Sequence, residues 1–311
     1  MAKIAQNMLE LVCDTPIVKL QRVTSGLPVE IWAKVEFLSP SGSLKDRIAL
    51  DMIGEAEKRG DLRPGMTIIE ATSGNTGIAF SMAAAVKGYP VIIVMPEQMS
   101  NERKEIMSAL GAKLVLTPGG SDAVPFTRVK VKEMCAADPS LWFAGQFSNP
   151  DNVASHRNKT GPEIWAQTDG KVDAIVQGVG TGGSLSGVAQ YFKSRNPAVR
   201  IVAVEPAQCA ILSGGKCGPH RIEGIGDGFI PENLDLSVID DVVAVPDEEA
   251  ISMARRLMRE EGILGGTSAG ANVWASLKIA GQMDRGAIVT FINDTCQRYF
   301  STDLFPDFNL A

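Results

Sequence analysis

The chain has 311 residues, enough for two domains or for one large domain with a deep core. A formal charge of −6 and a pI of about 5.2 argue against nucleic acid or an anionic membrane surface as the main partner. Hydrophobic residues at 45% and charged residues at 21% are the balance of a globular protein. No apolar run reaches the roughly 18 residues that span a bilayer, and residues 1–7 lack the apolar core of a signal peptide. The five cysteines, at 13, 135, 209, 217 and 296, are odd in number, scattered and without a C-x-x-C pair. That speaks against a disulfide framework and against a zinc site. His156 and His220 are the only histidines, too few for a multi-histidine metal site. The expectation is a reduced, cytoplasmic protein with no metal.

In chain order, the first notable segment is Ser39-Pro40-Ser41-Gly42-Ser43-Leu44-Lys45-Asp46-Arg47, which opens an apolar helical stretch through Ile48, Ala49, Met52 and Ile53. Lys45 is either a solvated lysine at a helix start or an amine placed to form a Schiff base with a carbonyl cofactor. Strands are predicted over 67–70, 91–95 and 113–116, with helices over 78–87 and 101–110. The segment Trp142-Phe143-Ala144-Gly145-Gln146 suggests a boundary near 145. Further strands are predicted over 174–177, 201–204 and 287–291, with helices over 185–194 and 273–279. Continuous β-branched runs between helices predict an α/β fold with mostly parallel sheets covered on both faces. In such folds ligands bind at the C-terminal ends of strands.

Three loops occupy that position. Gly178-Val179-Gly180-Thr181-Gly182-Gly183-Ser184 joins a strand to a helix start, and its glycines let backbone amides approach an anion. The same spacing fits the dinucleotide fingerprint, with Glu205 near the end of the next strand, so NAD, another phosphate ligand and a plain tight turn all remain open. Ala71-Thr72-Ser73-Gly74-Asn75-Thr76-Gly77 has more hydrogen-bonding side chains than one helix cap needs. It suits a small carboxylate, or an N-cap with polar neighbours. Gly265-Gly266-Thr267-Ser268-Ala269-Gly270-Ala271-Asn272 reads, unaided, as a glycine C-cap followed by a serine N-cap.

Taken together, the segments 40–47, 72–77, 180–183 and 266–270 resemble the four signature segments of cysteine synthase (O-acetylserine sulfhydrylase). That family is grouped with cystathionine β-synthase among the fold type II pyridoxal-phosphate enzymes. The resemblance runs from Thr15-Pro16 to Arg298-Tyr299 and includes Gln146-Phe147, Thr160–Trp165 and Gly224-Ile225-Gly226. It implies two domains, 36–145 and 1–35 plus 146–311, with pyridoxal 5'-phosphate in the cleft between them. Lys45 would hold the cofactor and then remove the substrate's α-proton. Gly180, Thr181, Gly182, Gly183 and Ser184 would bind the cofactor phosphate. Asn75 would bond the ring hydroxyl, and Ser268 would face the ring nitrogen, leaving it largely unprotonated. Thr72, Ser73, Thr76 and Gln146 would grip the substrate carboxylate, with loop closure expelling water. The implied reaction is β-replacement on a serine-type amino acid, foremost O-acetyl-L-serine plus sulfide to L-cysteine plus acetate, in a homodimer.

Two residues depart from the family's pattern. Asp227 stands where cysteine synthases usually carry a small residue. It is either a surface carboxylate in a glycine turn or a group that orients or deprotonates water. In the second case the reaction becomes L-cysteine plus water to L-serine plus sulfide. The same resemblance also admits a plain cysteine or serine β-lyase and cystathionine formation. Cys296 stands where the family often has glycine, and reads as a packed thiol or as one poised near the site.

Overall fold

The β-branched runs pair into two separate sheets in the computed structural model, which describes residues 4–72, 74–119 and 123–305, the side chains of 123–125 aside. The strands are β1 (Ile17–Lys19), β2 (Val29–Val35), β3 (Thr67–Ala71), β4 (Val91–Pro96), β5 (Lys113–Thr117), β6 (Leu141–Phe143), β7 (Ala174–Gly178), β8 (Arg200–Pro206), β9 (Asp241–Val245) and β10 (Gly286–Ile292). One sheet runs β5-β4-β3-β6, and the other β1-β2-β10-β7-β8-β9. All pairs are parallel except β1 with β2. The helices are α1 (Lys45–Arg59), α2 (Asn75–Lys87), α3 (Asn101–Ala109), α4 (Ala123–Ala137), α5 (Pro150–Ser155), α6 (Gly161–Gln167), α7 (Gly183–Arg195), α8 (Asp247–Arg256) and α9 (Thr267–Ala280). The fold is α/β, as the interleaved runs predict.

Both sheets are covered on both faces, which is why their strands read as unbroken apolar runs. Alternation sorts the residues. Ala174, Val176, Val202 and Val204 enter one core, while Ile175, Ile201, Ala203 and Val289 enter the other. In the smaller sheet Ile68, Ile93 and Met95 face α1 and α2, and Ile69, Ala71 and Val94 face the opposite side. Helix α1 buries Ile48, Ala49, Met52, Ile53 and Ala56 along one stripe and stops at Gly60, whose φ of 78° is the left-handed cap that favours glycine.

Three helices begin earlier than the apolar periodicity indicates. α2 starts at Asn75, α7 at Gly183 and α9 at Thr267, so much of each presumed loop is the helix's first turn. Small polar residues adopt helical geometry there because first-turn N–H groups need no intrahelical acceptor. The histidines and cysteines fare differently. His156 is buried and bonds Thr160 Oγ1 at 2.9 Å. The expectation of uniformly reduced thiols is corrected, because Cys209 and Cys217 form a disulfide. Residues 207–218 double back, Gly218 N–H donates to Gln208 O at 2.8 Å, and the two cysteines meet across that turn. An eight-residue separation carries no such signal in the sequence.

Candidate active site

Lys45 is the first residue of α1, and the chain before it is stitched to the segment after β10. Leu44 N–H donates to Asn293 O (2.9 Å), and Thr295 N–H donates to Gly42 O (3.1 Å). Two residues on, the buried Arg47 binds Glu36 (2.8 Å), Glu163 (2.7 Å) and Thr15 (3.0 Å). Lys34 reaches the same Glu163 at 2.9 Å. This buried ionic cluster fixes the start of α1 against β2 and α6. Lys45 then lines a cleft with Thr72, Asn75, Thr76, Gln146, Thr181 and Asp227, the C-terminal ends of strands from both sheets contributing. Burial lowers the Lys45 ammonium pKa, while Asp294, Asp227 and Glu36 push back. A lowered pKa gives more neutral amine, the nucleophilic form.

The start of α7 is a cradle kept bare at three glycines. A Cβ on Gly180 would stand 2.5 Å from Gly224 O, and one on Gly183 would stand 1.9 Å from Asn152 Oδ1. Gly182 has φ 79° and a Cβ there would press on Leu234. No side chain caps this helix start, so its first N–H groups and dipole remain available to an anion. Thr181 Oγ1 accepts from Asn152 Nδ2 (3.1 Å), and Ser184 Oγ accepts from Gln177 Nε2 (3.1 Å), which leaves both hydroxyl protons to donate. Gln177 Nε2 also donates to Asn293 Oδ1 (3.0 Å), and Asn293 Nδ2 donates to Ser268 Oγ (3.2 Å). One chain of bonds therefore joins Ser184 to Ser268, which is buried in the first turn of α9. An amine for an aldehyde, an uncapped helix start for a phosphate and a neutral hydroxyl beyond them fit pyridoxal phosphate. Gly180, Gly182, Gly183, Ser184 and Ser268 border the cleft without lining it; Thr181 lines it.

The start of α2 is filled with committed side chains. Thr76 Oγ1 donates to Gln146 Oε1 (2.5 Å), and Gln146 Nε2 donates to Ala71 O (2.9 Å). Thr72 Oγ1 accepts from Gly74 N–H (3.1 Å), keeping its own proton. Asn75 Nδ2 donates to Asp294 Oδ2 (2.6 Å), and Asn75 Oδ1 accepts from Arg298 Nη1 (2.5 Å). The Asn75 amide is thus engaged within the protein. Ser73 lies outside the described residues.

Asp227 sits between Gly226 (φ 76°) and Gly228 (φ 84°), a turn that carries its carboxylate into the cleft rather than to the surface. Burial raises its pKa; Lys45 and His220 oppose the rise. Sequence reasoning assigned no role to Arg103, Phe147, Gly224 or Tyr299, which also line the cleft. Arg103, on α3, donates to Glu223 Oε2 (2.9 Å) and to Ser100 Oγ (2.8 Å), and its guanidinium lies 5.2 Å from the centre of the Tyr299 ring. Tyr299 OH donates to Asp294 Oδ2. A helix reading only as polar gives no signal for Arg103; the Arg298-Tyr299 pair was visible as resemblance alone. Cys296 is buried with Ala254, Tyr299 and Leu304 and does not line the cleft.

The family model for pyridoxal-phosphate dependent enzymes matches residues 8–294. A cysteine synthase of Staphylococcus aureus is 43% identical over 305 residues, covering 97% of this chain and 98% of that protein. The crystal structure of cysteine synthase from Entamoeba histolytica superposes with a TM-score of 0.93 at 42% identity, covering 97% of this chain and 91% of that one. A hydrogen sulfide-producing enzyme from Fusobacterium nucleatum superposes with a TM-score of 0.92 at 40% identity, covering 95% of this chain and 100% of that one.

Proposed function

Since this chain belongs to the pyridoxal-phosphate dependent enzymes, we propose that it catalyses β-replacement on a serine-type amino acid, with O-acetyl-L-serine and sulfide giving L-cysteine and acetate. Bound pyridoxal phosphate supplies the electron sink that lets an α-proton and then a β-substituent depart. Lys45 would hold the cofactor aldehyde through its amine and would carry the α-proton on Nζ. The first turn of α7, with the Thr181 and Ser184 hydroxyls, would hold the phosphate. Ser268 would offer a neutral hydroxyl to the cofactor. Asn75 steadies the opposite edge of the site, anchored by Asp294 and Arg298. The Thr72 hydroxyl, Ser73, Thr76 and Gln146 receive the substrate carboxylate, for which Gln146 exchanges its bond to Ala71 O. The observation that carries this reading is the partly buried amine of Lys45 in one cleft with the start of α2 and with Thr181, two residues ahead of α7. Purified protein given O-acetyl-L-serine and sulfide is expected to release L-cysteine stoichiometrically with acetate. Absence of both products in a substrate panel that includes O-phosphoserine and serine overturns the reading.

A second activity is favoured by Asp227, whose carboxylate lines the same cleft as Lys45. It accepts a proton from water as that water replaces the thiol of L-cysteine, giving L-serine and sulfide. The Asp227→Asn variant is expected to lose serine release by roughly a hundredfold or more while still making cysteine from O-acetylserine. Equal loss of both reactions would make Asp227 structural.

The division at 36–145 is supported by the sheets: β3 to β6 fall inside it, and β1, β2 and β7 to β10 fall outside. The smaller unit closes on substrate. The active species is a homodimer, and the site of action is the cytoplasm. Light scattering on the purified protein tests the dimer. Among the described residues no helix is long and apolar enough to cross a membrane.

A further inference from the structure

The segment that follows β8 delivers Asp227 to the cleft, and it is closed on itself by the Cys209–Cys217 disulfide. Cys209 is buried and Cys217 is exposed. A methyl group added to Gly228 would meet Cys217 Sγ at 3.4 Å, so this sulfur packs on the residue next to Asp227. The rest of the segment is held by non-covalent contacts, among them ion pairs of Arg221 with Asp247, Glu248 and Asp303 and of Glu223 with Arg103. Glu223 N–H donates to Thr267 Oγ1 (2.8 Å), Gly226 N–H donates to Val179 O (3.1 Å), and His220 Nε2 bonds Gly226 O (2.9 Å). Upstream, Leu212 N–H and Ser213 N–H donate to Glu205 (2.7 and 3.0 Å). The disulfide is the one covalent tie among the described residues: it closes the hairpin 207–218 on itself, and its Cys217 sulfur faces Gly228 in the turn that presents Asp227.

We propose that Cys209–Cys217 is an exchange site for small thiolates, hydrosulfide and L-cysteine foremost, and that opening it loosens the wall carrying Asp227. The choice of thiol rests on the sulfur chemistry proposed above. Access directs attack to the exposed Cys217 sulfur. With cysteine, the incoming thiolate bonds Cys217 Sγ, the protein S–S bond breaks, and Cys209 leaves as a thiolate that takes a proton from solvent. A second cysteine attacks its partner sulfur in the mixed disulfide, releasing cystine and the Cys217 thiolate. Two cysteines are oxidised and one protein disulfide is reduced. Hydrosulfide forms a persulfide on Cys217 in the first of these steps.

The test uses the cofactor-loaded protein with its disulfide intact by mass. It is incubated with L-cysteine, with hydrosulfide or with no thiol, then unfolded and labelled with N-ethylmaleimide, and the peptides are resolved. Hydrogen exchange over 205–229 is followed in parallel. Either thiol is expected to expose Cys209 to the label and to speed exchange over 214–229 by roughly tenfold. The Cys217→Ser variant is expected to exchange at the fast rate with or without thiol. Lys45→Ala is run alongside, so that a failed function and a failed exchange site are told apart: it turns nothing over, yet the label and the exchange are expected unchanged from wild type. A pair that stays closed in millimolar thiol, an opened pair with unaltered exchange, or slow exchange in Cys217→Ser each overturns the proposal.

Discussion

The first turns of α2 and α7 border one cleft and are finished in opposite ways. At α2 the side chains are present and spent: Thr76 on Gln146, Gln146 on Ala71, Asn75 on Asp294 and Arg298. At α7 side chains are excluded by contacts that a single carbon would violate, and the backbone donors are left over. The contrast separates two physical tasks. The wall proposed to take the substrate holds its polar groups on one another until a carboxylate exchanges for one of them, while the cradle proposed for the phosphate keeps its backbone donors free.

The largest expected effects separate binding from chemistry at the cradle. Gly183→Ala drives a methyl into Asn152 Oδ1, which a methyl cannot share. Cofactor affinity, read by fluorescence titration of the apoprotein, is expected to fall by roughly a hundredfold, about the loss of two or three phosphate hydrogen bonds. Lys45→Ala leaves the cradle intact. It is expected to bind the cofactor reversibly, to lack the visible imine band and to lose turnover by at least about a thousandfold. If Lys45→Ala fails to bind at all while Gly183→Ala binds normally, the cradle is not the anchor and the contrast collapses.

Commitment of polar groups also extends beneath the site, to Glu163 under Arg47 and Lys34. Burial raises the Glu163 pKa, but its two cationic partners outweigh burial and hold it down to about 2, against an ordinary 4.5. Its folded pKa lies below the unfolded one, so the unfolded chain binds more protons between those values. The stabilisation is therefore complete above about pH 4.5 and is lost as pH falls toward 2, amounting to about 3 kcal/mol. Urea melts at stepped pH values check it, and Glu163→Gln is expected to flatten that acid limb. An unchanged limb in the variant would mean that other carboxylates set it.

Asn75→Ala tests the wall itself. It takes one hydrogen bond each from Asp294, which keeps Tyr299 OH, and Arg298, which keeps Ser41 O, so a loss of about 1–3 kcal/mol in stability is expected. The turnover loss is expected to be roughly tenfold, smaller than at Lys45, because Asn75 positions rather than reacts. A loss as large as that of Lys45→Ala would move Asn75 from the wall into the chemistry.

Much of the fold was legible because burial on both faces writes a parallel strand as an apolar run, as in β4, β7 and β8. The glycine loop and Lys45 stood out locally but left alternatives open, and their proposed roles came from the resemblance across all four segments. What lay hidden was long-range. Asn75 meets Asp294 across 219 residues of chain, and Arg103 meets Glu223 across 120. No local pattern encodes either pairing. The Cys209–Cys217 bond is local and was missed for a different reason: a hairpin, not a spacing motif, brings its ends together.

The smallest expected effect is at Cys296, and it bounds how far the cleft reaches. The residue follows Asp294 by only two positions, yet its side chain turns into an apolar pocket with Ala254, Tyr299 and Leu304. Burial pushes its thiol up to about 11, so at neutral pH it carries almost no thiolate, the form that reacts. Cys296→Ala removes one sulfur from a packed site and is expected to cost about 1 kcal/mol in a urea melt. Turnover is expected to stay within about twofold, since the thiol touches none of the cleft-lining groups but Tyr299. Iodoacetamide is expected to reach it at the rate of global unfolding. Rapid labelling of the folded protein, or a turnover loss above about tenfold, would place this thiol in the committed wall and extend that wall past Tyr299.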